Sequence, residues 1–501
     1  MEERLRKLDA FFNPHSVAVI GATKKTDKAG YVIFKNFSTN KLRGVFNGEL
    51  YPVNPNEDSI LGLKCYRSLS EIPGELDLIV IVIPALAVPG VMEEAANKKV
   101  KACIIITAGF REVGNADLED QVVAIAKSGG TRVLGPNCLG IYYSKTGVDT
   151  LFLPETKTLT TGDEVVATPR PMPGSIAMIT QSGAFGSAAL DYLTGRQMGV
   201  SKFVSFGNKC DVNESDILLY LLKDQETKVV LAYLEDVKDG REFLEVAKKV
   251  TVEKPVVALK TGRSSQGARA AASHTGAIAG SDKIYDAAFQ QGGIIRAEDM
   301  EEFFDMGKAL AMQPPAMGTN IGILTDAGGP GVMTVDECEY LGLTVGPFSD
   351  STIKKFQELK DKNLILKISA TSNPVDLTGS VTDDQFVTSA DLMFQDAEID
   401  GIILLGLHHM PGLREKYIDG VVNVSLKYTK PIVMCDIGET EMALYTRSRF
   451  DRLCVPSYSS PEAAARAMKA LVTYGEYLKK AGFAQERIAA AKKECAFTVQ
   501  P

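Results

Sequence analysis

Two stretches of this sequence decide its fold: IAMITQSGAFG at residues 176–186 and IGILTDAGGPG at residues 321–331. Each is a short apolar run followed by a glycine-containing turn and a helical pattern, which is typical of a strand that feeds a helix. The two stretches match at an offset of 145 residues. A shorter match pairs NKCDV at residues 208–212 with NPVDL at residues 373–377. Such self-similarity indicates a duplicated structural unit.

The two copies differ in length at one place. KPVVALKTG at Lys254 matches KPIVMCDIG at Lys430 with an offset of 176, whereas KAL at Lys308 matches KAL at Lys469 with an offset of only 161. The first copy therefore carries about 15 extra residues between these two matches. His274 lies in that interval, in the small-residue stretch SSQGARAAASHTGAIAGSD. Such a composition makes a poor core and favours an adaptable loop.

Short β-branched strands alternate with helical stretches along the rest of the chain. That alternation predicts an α/β protein with parallel sheets covered by helices. A connection rich in Thr and Pro is expected to be irregular. The expected order is a Rossmann-like unit, this connection, two flavodoxin-like doubly wound units and a C-terminal tail, at residues 1–145, 146–174, 175–312, 319–480 and 481–501.

The composition of the 501 residues is that of an ordinary globular protein, with a net charge of −8 that argues against a nucleic-acid partner. The eight cysteines form no C-x-x-C pair, so we expect reduced thiols rather than a disulfide framework or a metal site. The N-terminus lacks the apolar core of a signal peptide, and the most apolar run is too short to span a bilayer. These features predict a cytoplasmic protein that does not engage a membrane.

The first unit opens with SVAVIGATKKTDKAG at residues 16–30, which predicts a strand, a glycine turn and a helix. This arrangement places backbone N–H groups at Gly21–Lys28, where a phosphate or pyrophosphate would bind. It departs from the G-x-G-x-x-G pattern, and the second strand ends at Asn54-Pro55 rather than at an acid that would hold a nicotinamide-nucleotide ribose. The lysines of the turn favour a ligand with extra phosphate. A tight connection without a ligand is the alternative.

The repeated glycine turns include Ser182–Gly183 in one copy and Gly328–Gly329 in the other. Each opens a helix, and two helix N-termini that face one site would hold an anion between them. The lack of bulky side chains at both turns favours anion binding over turns that are merely duplicated.

Two residues are candidates for chemistry in the first copy. An imidazole such as that of His274 is uncharged for much of its time near neutral pH and can accept a phosphoryl group, although a surface histidine in a loop is the alternative. Glu235 ends a strand, so its carboxylate is expected at the ligand-binding edge, where it would orient an imidazole. His408 is aligned with Glu235 in the second copy. His408 and His409 are expected to point to opposite faces and not to share a metal.

These motifs together resemble those of the α subunits of ADP-forming acyl-CoA (acetyl-CoA) synthetases, which are relatives of succinyl-CoA synthetase. The ordered set runs from about Phe11 to about residue 480 and comprises VAVIGATKKTDKAGYVIFKNF, YPVNP, LGLKCY, ITAGFREVG, GPNCLG, TQSGAFG, DGREF, SHTGAIAGSD, TDAGGPGVM and NPVDL. The resemblance implies a CoA-binding Rossmann-like domain and two flavodoxin-like domains. It also implies a reversible reaction in which acyl-CoA, phosphate and ADP give a carboxylic acid, CoA and ATP.

The resemblance assigns roles to residues. It implies that His274 is phosphorylated and that Glu235 orients it, with no metal ligand on this chain. It places coenzyme A and the acyl group at Gly21, Ala22, Thr23, Lys28, Asn54, Pro55, Pro84, Thr107 and Asn137, and phosphate at Ser182, Gly183, Gly328 and Gly329. No ATP-grasp region follows the third unit, so ADP or ATP and Mg²⁺ are expected on a separate β subunit in an α2β2 heterotetramer.

Two positions depart from the family pattern. Ser187 falls about where succinyl-CoA-type enzymes carry a tyrosine, which weakens any assignment of succinate, and Asp326 stands where relatives often have asparagine. One alternative is a non-catalytic CoA-binding regulatory protein on the same fold, against which the presence of His274 and Glu235 argues. A nicotinamide-dependent oxidoreductase is a third hypothesis, and the missing acidic strand end argues against it.

Overall fold

The computed structural model of this chain describes residues 2–267, 269 and 281–490. The chain divides into two compact units, Met1–Arg296 and Ala297–Pro501. Unit 1 contains two large sheets and unit 2 contains one. Both units are α/β, as the alternating pattern of the sequence predicts.

The first sheet of unit 1 has five parallel strands. Its strands are short, apolar and mostly buried on both faces, as expected for a parallel sheet covered by helices. Numbered along the chain, they follow the spatial order 2-1-3-4-5 that is typical of doubly wound folds. In that order they are Glu49–Val53, Ser16–Ile20, Leu78–Ile81, Ala102–Ile105 and Arg132–Leu134.

The second sheet of unit 1 has seven strands. In spatial order they are Ile295–Ala297, Val256–Lys260, Val229–Leu234, Pro173–Thr180, Val200–Ser205, Gly140–Tyr143 and Val148–Asp149. The first five again have the doubly wound order, and the last two are antiparallel additions. Residues 140–143, expected at the end of the first domain, therefore belong to the second sheet.

The sheet of unit 2 repeats the same frame with five parallel strands. In spatial order they are Val375–Asp376, Ile321–Thr325, Gly401–Leu405, Ile432–Cys435 and Ser457–Tyr458. Its order matches that of the first five strands of the seven-stranded sheet, so the predicted duplication is a duplication of topology. The predicted match of NKCDV with NPVDL is wrong, because strand pairing makes Ser205 the counterpart of Asp376.

Helices connect the strands, and a smaller number of 3₁₀ turns and hairpins complete the fold. The helices of unit 1 are Glu2–Asp9, Ala29–Leu42, Val88–Asn97, Ala116–Gly129, Gly183–Gly195, Glu214–Lys223, Gly240–Thr251 and Asp282–Gly292. Those of unit 2 are Met300–Met312, Gly328–Tyr340, Asp350–Asp361, Asp383–Gln395, Lys416–Ser425, Glu441–Arg452 and Pro461–Ala481. The 3₁₀ turns are Leu69–Glu71, Ala85–Ala87 and Arg111–Val113, and the hairpins are Ser59–Ile60 with Leu63–Lys64 and Thr156–Thr158 with Glu164–Val166.

Two segments differ from the sequence expectation. The hairpin with strands Thr156–Thr158 and Glu164–Val166 lies in the connection that was expected to be irregular. Met300–Met312, expected in the first flavodoxin-like domain, packs against Pro461–Ala481 inside unit 2. Apolar patterns predict these elements but do not say which sheet or helix a boundary element joins, since that depends on long-range packing.

The difference in length between the copies is confirmed. Residues 261–281 connect the strand Val256–Lys260 to the next described helix, whereas only residues 436–440 connect the equivalent strand Ile432–Cys435 to its helix. His274 lies within the longer connection and outside the described residues.

Candidate active site

A cavity of about 1050 Å³ lies in unit 1. Its walls come from the carboxyl ends of strands in both sheets, where doubly wound folds bind ligands. Five of the predicted site residues line it: Thr107, Asn137, Ser182, Gly183 and Glu235. The structure thus brings together residues that were assigned separately to the acyl group, to phosphate and to the orienting carboxylate.

A second cavity of about 380 Å³ lies at the first sheet and is lined by Gly21, Asn54, Pro55 and Pro84. The two cavities are neighbours, because Ile83 lines this one and the preceding residue, Val82, lines the larger. Of the other residues predicted here, Ala22 is buried, Thr23 is half-buried and Lys28 is exposed at the start of its helix.

The turn after the first strand is shaped by close backbone contacts. Gly21 has φ +92°, and a Cβ added there would lie 2.4 Å from the Val82 carbonyl oxygen. A Cβ on Gly30 would lie 2.1 Å from the Gly21 carbonyl oxygen. Only glycine fits both positions. The helix Ala29–Leu42 has no side-chain N-cap and no acid in its first turn, so its backbone N–H groups can bind an anion.

Thr107 and Asn137 are held by hydrogen bonds at the rim between the two sheets. The Thr107 hydroxyl donates to the Ile83 carbonyl oxygen at 2.7 Å. The Asn137 backbone N–H donates to the Thr107 carbonyl oxygen at 3.0 Å, and Asn137 has φ +58°. Its side-chain amide nitrogen lies 3.4 Å from the Asn208 amide oxygen, and both amides lie at the cavity wall.

The Ser182–Gly183 turn opens the helix Gly183–Gly195 toward the same cavity. The Ser182 side-chain oxygen accepts from the Phe185 backbone N–H at 3.2 Å, which is a side-chain N-cap. The first turn of this helix contains no acidic residue. The remaining N–H groups and the helix dipole therefore present a site for an anion.

Glu235 follows the strand Val229–Leu234 and is half-buried. The Gln181 side-chain oxygen accepts from the backbone N–H groups of Glu235 at 2.9 Å and Asp236 at 3.1 Å. Lys209 is buried beside this segment, and its ammonium lies 2.6 Å from the Asp236 carboxylate. Sequence reasoning missed both Gln181 and Lys209. Their positions in the sequence could have indicated them, because Gln181 directly follows the strand Pro173–Thr180 and Lys209 lies in the turn after the strand Val200–Ser205.

The equivalent turn of unit 2 has acidic side chains, those of Asp326 and Asp376, close to its backbone. A Cβ on Gly328 would lie 2.9 Å from an Asp376 carboxylate oxygen. Asp326 is 1% exposed, and one of its carboxylate oxygens accepts from the Leu407 N–H at 2.8 Å. Burial, together with the nearby carboxylates of Asp436 and Asp376, raises the pKa of Asp326 to about 7.

The alignment of His408 with Glu235 is wrong by one residue. Thr180 pairs with Tyr233 in unit 1, and Thr325 pairs with Leu405 in unit 2, so Leu407 is the counterpart of Glu235. The apolar run did not show where strand pairing ends. His408 corresponds instead to Asp236.

The two adjacent histidines also differ from expectation, because their ring centroids lie 3.9 Å apart instead of on opposite faces. His408 Nδ1 lies 2.8 Å from the Asp436 carboxylate, and its Nε2 lies 3.1 Å from the Thr440 hydroxyl. These contacts hold the His408 ring in place within unit 2.

Neither a metal-binding cluster of side chains nor a helix able to span a membrane occurs among the described residues. In that part of the chain, no group of three or more His, Cys, Asp or Glu side chains is arranged to bind a metal ion. Over the same part, none of the helices is long and apolar enough to cross a membrane.

Two family models match this sequence. The CoA binding domain matches residues 15–144, and the succinyl-CoA ligase like flavodoxin domain matches residues 173–310. With the cavity described above, they define the class of protein: a CoA-binding acid–thiol ligase of the succinyl-CoA ligase type.

Relatives of known sequence narrow this class. The chain is 38% identical over 477 residues to the acetate–CoA ligase (ADP-forming) II subunit alpha of Pyrococcus furiosus. This match covers 93% of this chain and 97% of that subunit. It is 39% identical over 465 residues to the acetate–CoA ligase (ADP-forming) of Methanocaldococcus jannaschii, covering 92% of this chain and 62% of that protein. The chain belongs to the family of ADP-forming acetate–CoA ligases and corresponds to their α subunit.

A solved structure agrees with this assignment. The dinucleotide forming acetyl-coenzyme A synthetase 1 of Ca. Korarchaeum cryptofilum, in complex with phosphate and ADP, is 35% identical to this chain with a TM-score of 0.84. The match covers 95% of this chain and 98% of that one. The predicted family, fold class, ligase activity and use of CoA are confirmed.

Proposed function

We propose that this chain is the catalytic α subunit of an ADP-forming acyl-CoA synthetase that works through a phosphohistidine at His274. The observation that carries the proposal is the 1050 Å³ cavity, where Glu235, the Ser182–Gly183 turn and Thr107 line one space. A thioester, a phosphate and an orienting carboxylate would all be within reach of one another there.

The chemistry proceeds in three steps. Phosphate attacks the thioester carbonyl carbon, the C–S bond breaks, and CoA leaves as a thiolate with an acyl phosphate as product. An unprotonated ring nitrogen of His274 then attacks phosphorus, and the carboxylate leaves. ADP finally takes the phosphoryl group to give ATP. A Glu235 carboxylate bonded to the other ring nitrogen would fix the tautomer and stabilise the charged ring.

The described residues divide this work. Gly21, Ala22, Thr23, Lys28, Asn54, Pro55 and Pro84 hold CoA along the first sheet, and Thr107 and Asn137 hold the acyl end. Backbone N–H groups at Ser182 and Gly183 bind phosphate and the transferred phosphoryl group. The turn at Gly328 and Gly329 in unit 2 is left out of this division, because the Asp376 carboxylate lies against Gly328.

A separate ATP-grasp β subunit would bind ADP or ATP with Mg²⁺, and we propose an α2β2 assembly. The P. furiosus relative supports this proposal because it is named as an alpha subunit. Mixing the chain with a candidate ATP-grasp protein should give ATP from acetyl-CoA, phosphate and ADP. Sedimentation should then show two copies of each chain, and a complex of other composition would contradict the α2β2 assembly.

We also propose a cytoplasmic location and the domain division 1–145, 146–174, 175–312, 319–480 and 481–501, except that residues 140–143 join the second sheet and Met300–Met312 packs inside unit 2. All seven described cysteines are free thiols, which suits a reducing compartment. The matched ranges 15–144 and 173–310 lie close to two of the proposed domains.

The proposal is tested by incubating the full chain with radiolabelled phosphate and a panel of acyl-CoA thioesters, beginning with acetyl-CoA. An acid-labile phosphoryl group on the protein is the expected result. If the wild-type chain takes no label with any thioester, the catalytic proposal fails. Titration with CoA and NADH then separates the alternatives, because CoA binding without turnover is the behaviour of a regulatory protein.

A further inference from the structure

We propose that Gln181, Lys209 and Lys238 are positioning residues that hold the segment 235–238, and with it the Glu235 carboxylate, in place for phosphoryl transfer. This inference rests on the proposed function and extends it to three residues outside the assigned site. It is carried by hydrogen bonds through which Gln181, Lys209 and Lys238 join this segment to the turns at residues 181–183 and 207–210. We call this hydrogen-bonded network the lock.

Gln181 is the first part of the lock. Its side-chain oxygen accepts from two consecutive N–H groups, those of Glu235 and Asp236, at 2.9 and 3.1 Å. Its side-chain nitrogen donates to the Asp236 carboxylate. Gln181 is 8% exposed and immediately precedes Ser182, so it ties the phosphate-binding turn directly to the segment that carries Glu235.

Lys209 is the second part, and it is buried with 2% of its surface exposed. Its ammonium donates to the Asp236 carbonyl oxygen at 3.0 Å and pairs with the carboxylates of Asp236 at 2.6 Å and Glu214 at 3.1 Å. Burial opposes ionisation of Asp236, but Lys209 and Gln181 hold the pKa of this carboxyl below its usual range. Lys209 also has φ +54°, a conformation that few lysines adopt.

Lys238 is the third part and makes the lock reciprocal. Its ammonium donates to the carbonyl oxygens of Lys209 at 3.0 Å and Cys210 at 3.3 Å. Lys209 bonds the carbonyl of the 235–238 segment, and Lys238 bonds the carbonyl of the 207–210 turn. Both lysines and Gln181 line the same cavity as Glu235. Neither segment can move without breaking a charged hydrogen bond to the other.

The energetics favour positioning over simple stabilisation. Buried ion pairs give little net stability, because desolvation of the charges offsets their attraction. A buried lysine with two acids is therefore weak support for the fold but effective at fixing geometry. An orienting carboxylate must stay within about 0.5 Å of its working position, since a misplacement of about 1 Å can cost on the order of 100-fold in rate.

The repeat provides an internal comparison. In unit 2 the counterparts of Gln181, Asp236 and Lys209 are Asp326, His408 and Ser380. None of these three carries an ammonium group, and Leu407 replaces Glu235. The lock is thus a feature of the copy that carries the proposed orienting carboxylate.

The test compares Lys209→Met with Lys202→Met in the full chain. Lys202 is a matched control because it is also 2% exposed and pairs with two acids, Asp224 at 2.9 Å and Glu226 at 3.6 Å, outside the cavity. With acetyl-CoA and labelled phosphate, Lys209→Met should slow phosphorylation of the chain by about 30- to 100-fold, with the dissociation constant of CoA unchanged within about twofold. Lys202→Met should keep the wild-type rate.

Two further variants keep the inference falsifiable if Lys209→Met does not fold. Lys238 is exposed, so Lys238→Met should leave the melting temperature unchanged yet slow phosphorylation by about 5- to 10-fold. In a Glu235→Asp background, whose carboxylate is already displaced, the same substitution should cause less than about a twofold further loss.

The outcomes separate cleanly. Equal losses in Lys202→Met and Lys209→Met, or the full Lys238→Met loss in the Glu235→Asp background, would overturn the positioning role. So would an unchanged rate in both Lys209→Met and Lys238→Met when the wild-type chain is labelled. An unlabelled wild-type chain would instead count against the proposed function itself.

Discussion

The glycine turns of the two repeats share a frame but carry opposite electrostatics. In unit 1 the residue that pairs with Thr180 at the end of the neighbouring strand is Ser205, whose side chain is neutral. In unit 2 the residue that pairs with Thr325 is Asp376, and its carboxylate lies against Gly328. The unit 1 turn is therefore open to an anion, whereas the unit 2 turn is already faced by a carboxylate. A duplicated backbone does not imply duplicated chemistry.

The largest difference between the two copies should appear when the candidate catalytic groups of each copy are removed. His274→Ala should abolish labelling by acetyl-CoA and phosphate, and Glu235→Gln should lower its rate by about 100-fold or more, because the imidazole loses its orienting charge. His408→Gln in unit 2 should retain the wild-type initial rate. Comparable losses in Glu235→Gln and His408→Gln would show that the copies are not chemically distinct.

A smaller effect is expected from the acid at the unit 2 turn. The pKa of Asp326 is about 7 in the folded chain, above its ordinary value of 3.8, so the folded state binds this proton more tightly than the unfolded state. Its contribution to stability therefore falls as the pH rises from about 4 through 7. The amide of Asp326→Asn has no proton to lose in this range. The free energy of unfolding of this variant should therefore exceed that of wild type by near zero at pH 4 and by at most about 4 kcal/mol at pH 8.

Thermal unfolding of Asp326→Asn and wild type across this pH range measures that effect. The groups that face Asp326 are Asp376, Asp436 and Tyr417, and His408 acts through its bond to Asp436. A gain in melting temperature that is the same at pH 5 and pH 8 would contradict the raised pKa.

The helix caps of the two turns predict a smaller difference, which concerns the free energy of unfolding and the binding of phosphate. Ser182 caps its helix, whereas the equivalent residue of unit 2 is Ala327, which has no side chain that could accept a bond. Ser182→Ala should cost about 1 kcal/mol of unfolding free energy and weaken phosphate binding in unit 1. Denaturant unfolding and phosphate titration measure these two effects, and unchanged phosphate binding would argue against an anion site there.

The converse change should be the smallest. Ala327→Ser supplies the missing cap and should add about 0.5–1 kcal/mol to the stability of unit 2. It should leave the rate of labelling unchanged. Denaturant unfolding checks the first expectation, and a loss of stability would mean that the backbone of this turn cannot use a cap.

Much of the frame was predictable from the sequence, because strands, glycine turns and the longer connection follow local patterns that repeat at known offsets. Glu235 was found for the same reason, since it directly follows an apolar strand. The residue of unit 1 that corresponds to His408 could not be predicted from the sequence, because the pairing of strands decides it. The lock formed by Gln181, Lys209 and Lys238 was not predicted either, as its hydrogen bonds join three segments that lie far apart in the chain.

The most direct test of the account is to locate the phosphoryl group after the full chain reacts with acetyl-CoA and labelled phosphate. Peptide mapping at neutral pH preserves phosphohistidine. The account predicts that the label lies on the peptide that contains His274 and that it disappears in His274→Ala. Label on the peptide with His408 and His409, or label that persists in His274→Ala, would contradict it.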